Sequence, residues 1–395
     1  MKRVLRLNAI AAAIAALTVC GGCELFNMNT DGPCDPAASN CTEGSTCQEL
    51  LSGEFRCGAP LMIKGQVLDI TNDAPIADAR VQAVDVNGAA VGTTGVTDGN
   101  GAYSLTVPAL RDETGAPVTG SFTLRVQAMG CQAFPSAIRP ALPVDATSAV
   151  SQDGAWVIEN VLTTVKLIPL AGDTSTLGSI AGTVQGDQRA GVLVVAEGAA
   201  SASTGFSDSE GAYLIFNVPA GSLTVRGFAA GAQLDPAAVT LEAGENKTGV
   251  DLLASDRPLN TVSGTVQIVN AAGGGLTSVI LAVESTFVEA AGRGSVPPGL
   301  RVGDVGGAFV IENVPDGRYV VLAAFENDGL VRDPDQSISG TQTVHIELPD
   351  PAAGNVLQIS EGFKVTGALE TMTPGANQPE EVTTPTPVLE WADDS

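Results

Sequence analysis

Seven cysteines and a single histidine are the residues of this 395-residue chain with the most distinctive chemistry. Cys34, Cys41, Cys47 and Cys57 lie in a short segment rich in Asp, Gly, Ser and Glu, with no C-x-x-C pair and no histidine among them. That spacing does not suit a zinc site. In an oxidising, exported setting it predicts two disulfides that replace a core too small to fold alone. All three connectivities of the four thiols remain open. Cys131 stands apart after an alternating run and reads as a buried free thiol, or as a partner of Cys23 if Cys20 is modified.

One histidine removes most acid–base, triad and zinc-hydrolase chemistry. His345, within Thr343-Val344-His345-Ile346-Glu347, alternates with apolar residues and reads as an outward strand residue rather than a ligand. Asp98 and Asn100 offer oxygens in a tight turn, but too few carboxylates for a calcium cage. Other Asp and Glu residues are scattered without a cleft signal, so paired-carboxylate hydrolysis has no support. No catalytic, cofactor-binding or metal-binding residue is assigned, and no enzymatic activity or cofactor is expected.

Charge and composition agree. Lys+Arg 19 against Asp+Glu 44 leaves a formal charge of −25, which repels phosphates and argues against nucleic acid. With 44% hydrophobic residues, Gly 46 and Pro 23, the chain is too apolar for disorder and too punctuated for a helical bundle. A binding or scaffolding protein is the expectation.

Lys2, Arg3 and Arg6 precede an uncharged, alanine-rich and aliphatic run from Ala9 to Val19, which is too short to span a bilayer and reads as an export signal. It ends Leu17-Thr18-Val19-Cys20-Gly21-Gly22-Cys23, which resembles the lipobox of bacterial lipoproteins. In that family the cysteine after a small residue takes a diacylglycerol and becomes the mature N-terminus. Cys23 follows Gly22 but has Cys20 where Leu is usual. Cys20 has Leu17 at the right distance but Val19 where a small residue belongs. Cys23 is preferred, Cys20 is the alternative, and simple secretion is the reading without a lipid. Two or more acyl chains would hold the protein at a membrane without spanning it. Residues 1–22 are thus read as a lipoprotein signal peptide and 23–60 as an anchor and disulfide-rich spacer. Cys41-Thr42-Glu43-Gly44-Ser45-Thr46-Cys47 is similar to short stalks that follow the anchor in bacterial surface lipoproteins.

From Leu61 a pattern recurs. Ile63-Lys64-Gly65-Gln66-Val67, Ile180-Ala181-Gly182-Thr183-Val184 and Val262-Ser263-Gly264-Thr265-Val266 open each unit as strands. Acidic, glycine-rich turns then lead to an aromatic: Thr97-Asp98-Gly99-Asn100-Gly101-Ala102-Tyr103, Ser207-Asp208-Ser209-Glu210-Gly211-Ala212-Tyr213 and Gly303-Asp304-Val305-Gly306-Gly307-Ala308-Phe309. Val107-Pro108, Val218-Pro219 or Val314-Pro315 follows, where a missing backbone donor should bend or end the strand. Period two points Tyr103, Leu105 and Val107 inward, and Ala102, Ser104 and Thr106 outward. The architecture predicted is all-β: three tandem immunoglobulin-like or prealbumin-like β-sandwiches after the small disulfide-rich segment.

Turn, aromatic and Val-Pro together resemble the carboxypeptidase regulatory-like domain, a prealbumin-like sandwich related to starch-binding-like modules. The name implies no peptidase, since that activity belongs to a separate zinc domain. The units are read as 61–172 (with an extension), 177–256 and 259–370, joined by linkers too short for much swing. Gly154-Ala155-Trp156-Val157-Ile158-Glu159-Asn160-Val161 echoes Gly307–Val314 and is assigned to extra strands of the first unit. In related pilin sandwiches a Lys–Asn isopeptide bond is known. Lys64 and Asn160 are the only pair suggested for it, without an identified buried carboxylate. Residues 371–395 read as a linker and the start of a further fibronectin- or immunoglobulin-like domain, because Pro387-Val388-Leu389-Glu390-Trp391 is similar to an early core strand. Either that domain is truncated or the tail docks elsewhere.

These features suggest a lipid-anchored, exported protein at the outer membrane or cell surface, facing periplasm or exterior, with a structural or adhesive role and a protein or glycan ligand. A carbohydrate-binding module is the alternative, although each repeat's aromatic falls at a core position.

Overall fold

A computed structural model describes residues 32–35, 41–42, 44–84, 90–136, 139, 141–199, 201–269, 277–289, 294–325, 344–360, 363–366, 370–374, 382–384 and 386–392. Cys20, Cys23 and the export segment lie outside the described residues. Among the described residues the chain is almost wholly β-structure, interrupted by 3₁₀ turns such as Ala146–Ser148. None of their helices is long and apolar enough to cross a membrane.

A hairpin of β1 (Thr46–Glu49) and β2 (Phe55–Gly58) sets Cys47 opposite Cys57. The first sandwich follows with β3 (Leu61–Asp69), β4 (Arg80–Val84), β5 (Ala90–Val96) and β6 (Ala102–Val107). A small hairpin, β7 (Leu110–Arg111) and β8 (Pro117–Thr119), leads to β9 (Ser121–Gln127) and β10 (Val144–Asp145). The unit closes with β11 (Val150–Gln152), β12 (Ala155–Ile158) and β13 (Val165–Leu167). One sheet centres on β3, antiparallel to β6 and parallel to β12 and β13; the other runs β10-β9-β4-β5.

The second sandwich repeats this plan with β14 (Gly178–Thr183), β15 (Leu193–Glu197), β16 (Ala202–Phe206), β17 (Ala212–Val218), β18 (Gly221–Phe228), β19 (Ala237–Leu241) and β20 (Asn246–Lys247). Its sheets are β17-β14-β20 and β16-β15-β18-β19. The third uses β21 (Asn260–Val269), β22 (Thr277–Val283), β23 (Arg301–Val305), β24 (Ala308–Val314), β25 (Gly317–Phe325), β26 (Val344–Leu348), β27 (Val356–Gln358) and β28 (Phe363–Thr366). There β21 is flanked by β24, β27 and β28, against a sheet ordered β23-β22-β25-β26. In the first and third units the closing strand is split, so the echo at Ala155–Ile158 occupies the place of β27 rather than of β24, whose sequence it resembles.

Alternation sets the cores. Tyr103, Leu105 and Val107 are buried together, while Ser104 is exposed. Tyr213 and Phe309 are buried at the matching positions. The opening-strand glycine makes room for this aromatic. A Cβ on Gly65 would lie 2.0 Å from the Thr163 carbonyl oxygen and 2.9 Å from the Tyr103 hydroxyl; on Gly182 it would lie 1.9 Å from the Val250 carbonyl oxygen. Through this gap the Tyr103 hydroxyl donates to Thr163 O at 2.7 Å, and Tyr213 donates to Val250 O. Burial, and for Tyr213 also Asp251, pushes both phenols well above their usual pKa.

Asp98 and Asp208 cap their own turns, each Oδ1 accepting from two main-chain N–H groups. The third unit departs from the expected turn. Asp304 sits on β23 at φ 55, where the register with β22 shifts, and the reversal falls to Gly306 and Gly307. In the tail, β30 (Glu390–Ala392), which contains Trp391, pairs antiparallel with β29 (Glu370–Thr373).

Candidate functional site: a docked cysteine module and two joints

Disulfides join Cys34 to Cys47 and Cys41 to Cys57, choosing one of the three connectivities. The sulfurs of Cys34, Cys41 and Cys57 lie within 4.8 Å of one another, but all are engaged in these bonds. The expected spacer is, over its described residues, fastened to the first sandwich. Arg111 is 1% exposed. Its Nε donates to Gln48 Oε1 at 3.2 Å, Nη1 to Gly115 O at 3.3 Å and Nη2 to Ala59 O at 3.4 Å. Leu51 N–H donates to Arg111 O at 2.8 Å, and Leu50 is buried alongside. Desolvation, opposed by Asp112, lowers the guanidinium to about 10, which leaves it charged at neutral pH. A charge buried this deeply persists only where its donors find acceptors, so the module has a defined seat.

The joint between the first and second sandwiches uses the outward face of the β10-β9-β4-β5 sheet. Val81, Ala83, Leu124 and Val126 point into the core, and alternation leaves Arg80, Gln82, Arg125 and Gln127 on the other side. These polar side chains meet the second sandwich instead of solvent. Gln82 Nε2 donates to Ser207 O at 3.4 Å, and Gln127 Nε2 to Thr204 O at 2.6 Å. The Arg125 guanidinium lies 3.7 Å from the centroid of the Phe206 ring, a cation–π contact. Desolvation lowers that guanidinium to about 10.

Asn217 ties this joint together. Its Oδ1 accepts from Gly130 N–H at 2.7 Å, and its Nδ2 donates to Ala128 O at 3.0 Å and Cys131 O at 2.9 Å. It is the Asn of Asn217-Val218-Pro219, held at φ 59 where β17 gains a residue on β14. Asn313 of Asn313-Val314-Pro315 has φ 59 at the matching bulge of β24. There its main-chain oxygen accepts from Gly231 N–H at 2.8 Å, across the second joint. The first unit has Thr106 at this place and no register shift. The proline step therefore ends each strand, as expected, and in two units the bulge before it also meets the preceding sandwich.

The second joint is largely apolar. Leu193, Val195, Phe206 and Phe228, on the outward face of β15, β16 and β18, belong to one cluster with the third sandwich's core. Phe228 meets Tyr319 edge-on at 5.8 Å. At its rim Gln233 Oε1 accepts from Asp316 N–H at 2.9 Å, and Arg257 bridges Asp235 and Asp316 at 3.2 and 2.8 Å.

The remaining candidates lie apart from this framework. Cys131 is buried with a free thiol, raised by burial and Asp69. His345 is exposed on β26 with Nδ1 2.7 Å from Glu284 Oε1, and Arg318 Nε meets the other oxygen at 2.7 Å. Asn160 is exposed and its Oδ1 accepts from Leu162 N–H, which is unsuited to the buried isopeptide partner suggested for Lys64.

No family model matches the chain, and no curated protein matches it. Among solved structures it is similar to the Bacillus anthracis TIE protein (13% identity, 77% of this chain, 50% of that chain, TM-score 0.17). It is also similar to BcpA, the major pilin subunit of Bacillus cereus (11%, 77%, 99%, TM-score 0.20). A third is the shaft pilin SpaA of Lactobacillus rhamnosus GG (10%, 54%, 100%, TM-score 0.19). The chain spans half the length of the first of these.

Proposed function

We propose that the chain is an exported, lipid-anchored surface protein in which three carboxypeptidase regulatory-like sandwiches act as one stiff element with a structural or adhesive role. The observation that supports this most is the burial of side chains across both joints: Asn217 bridging one, and Phe228 against Tyr319 in the other. Domains on free tethers leave such groups in solvent. The docked cysteine module extends this stiffness toward the N-terminus, where Cys23, or Cys20, is the acylation site of this reading. The membrane is then one partner, and a protein or glycan ligand is the other. Burial of Tyr103, Tyr213 and Phe309 leaves none of the three as a sugar-stacking platform, so a glycan array is expected to be blank for these aromatics.

Two measurements test this. Labelled palmitate should enter the membrane fraction with the wild-type protein and be lost in C23S; soluble, unlabelled wild type rejects the anchor. Small-angle scattering of the exported chain should fit a single rigid arrangement of the three sandwiches. A curve that requires an ensemble of independent domains rejects the stiff element.

A further inference from the structure

On the first two sandwiches the outward face of one sheet, β10-β9-β4-β5 in the first and β16-β15-β18-β19 in the second, is the receiving side of a joint. Strand register identifies the same face on the third. Gln82 opposite Arg125, Val195 opposite Arg226 and Ile280 opposite Leu322 are equivalent pairs, on β4 and β9, β15 and β18, and β22 and β25. On the third sandwich this face carries Ile280, Ala282, Val320 and Leu322, all buried, and Phe287 and Val296 pack on it.

Both covering residues come from the connection between β22 and β23, which is much longer than the 198–201 link between β15 and β16. Its ends are fixed by hydrogen bonds. Val283 N–H donates to Ser295 O at 2.9 Å, Leu281 N–H to Leu300 O at 3.0 Å, and Ser295 N–H to Thr286 Oγ1 at 2.8 Å. A Cβ on Gly294 would stand 3.2 Å from the Ala282 Cβ, so the chain at Gly294 runs close over the sheet. At its foot the same segment braces the second joint. Ser285 Oγ donates to Glu197 Oε1 at 2.7 Å, and Pro298 O accepts from Ala230 N–H at 2.9 Å.

We propose that residues 284–289 and 294–300 form a built-in cap, occupying on the third sandwich the face that takes the next sandwich on the other two, and so closing this mode of stacking. The inference rests on the joint geometry and stands whether or not the chain is anchored. The side chains directly beneath this cover, Ile280, Ala282, Val320 and Leu322, are all apolar. Uncovered, such a patch would associate, and its simplest occupant is the same patch on a second copy of this chain.

The test is the pair F287D/V296D in the full chain, which leaves the Ser285 and Pro298 contacts in place. Light scattering should show the wild type as a single copy and the variant at twice that mass, and adding L322E to the variant should restore the single copy. A variant that stays a single copy with an intact third sandwich overturns the proposal. If the charged pair unfolds that sandwich, the milder F287A/V296A decides. Association supports a cap. Unfolding shows the segment to be part of the fold rather than a cover on it, and overturns the proposal, as does a folded single copy.

Discussion

The two joints solve one problem with opposite chemistry. Each lays the outward face of one sheet on the Asn-Val-Pro bulge of the following sandwich. The first does so with Gln82, Arg125, Gln127 and Asn217, the second with Leu193, Val195, Phe228 and Tyr319. The apolar joint is continuous with the third sandwich's core, so its strength should scale with apolar area removed from water. The polar joint depends instead on hydrogen bonds of buried groups, although Arg125 Nη1 finds no acceptor there. Disturbing a side chain in one should therefore resemble a core mutation, and in the other a lost hydrogen-bond network.

The largest effect is expected at Phe228, 1% exposed. Phe228→Ala should lower urea-unfolding stability of the second and third sandwiches by about 3–5 kcal/mol, as for other large-to-small core changes. An effect below about 1 kcal/mol would show that the joint is a surface contact and not shared core.

Asn217 gives the matching probe of the polar joint. Asn217→Gly keeps the backbone free at φ 59 but leaves the Gly130 N–H and the Ala128 and Cys131 carbonyls without their partner. A loss of about 1–3 kcal/mol is expected. Asn217→Ala should lose about a further 1 kcal/mol through the strained φ. Asn313→Gly should be nearly silent, because Asn313 serves its joint through a main-chain oxygen that glycine retains. Equal losses at both positions, measured by denaturant unfolding, would erase the distinction between the joints.

The cores allow a gentler comparison. Tyr213→Phe removes the bond to Val250 O and recreates what the third unit has in Phe309, so a loss of about 1 kcal/mol is expected. The same contact has a pH signature. Tyr103, Tyr213 and Tyr319 are raised by burial, so they stabilise the fold fully below the unfolded value of about 10, and that contribution is lost as pH rises through the higher folded values. Tyrosinate absorbance should appear together with unfolding, not ahead of it. A phenol that titrates near 10 in the folded protein would show that the core aromatics are wet.

Much of this was legible from spacing. Period two placed Tyr103, Leu105 and Val107 inside, and Val-Pro marked the ends of β6, β17 and β24. The cysteines announced a crosslinked module, but pairing depends on where chain segments return, which spacing does not encode. The joints were hidden for a related reason. Arg80, Gln82, Arg125 and Gln127 alternate like any solvent face, and only a second sandwich reveals them as an interface. Two signals were available all the same. Val192-Leu193-Val194-Val195-Ala196 is apolar without alternation, which implies burial on both faces. Asn also precedes Val-Pro in the second and third units, whereas Thr106 stands there in the first.

Among the side chains of the polar joint the smallest effect is expected at Arg80, although it forms an ion pair there. Nη2 lies 3.4 Å from Asp208 Oδ2 and 3.5 Å from Ala212 O, with the two side chains only 16% and 21% exposed. Desolvation lowers the Arg80 pKa more than Asp208 raises it, so taking the charge out of water offsets most of the attraction. Arg80→Ala should then change stability by about 0–1 kcal/mol, and molar salt should leave the scattering curve of the wild type unchanged. If salt or R80A opens the first joint, its strength lies in charge rather than in the neutral bonds of Asn217, and the polar joint becomes the weaker of the two in any saline setting.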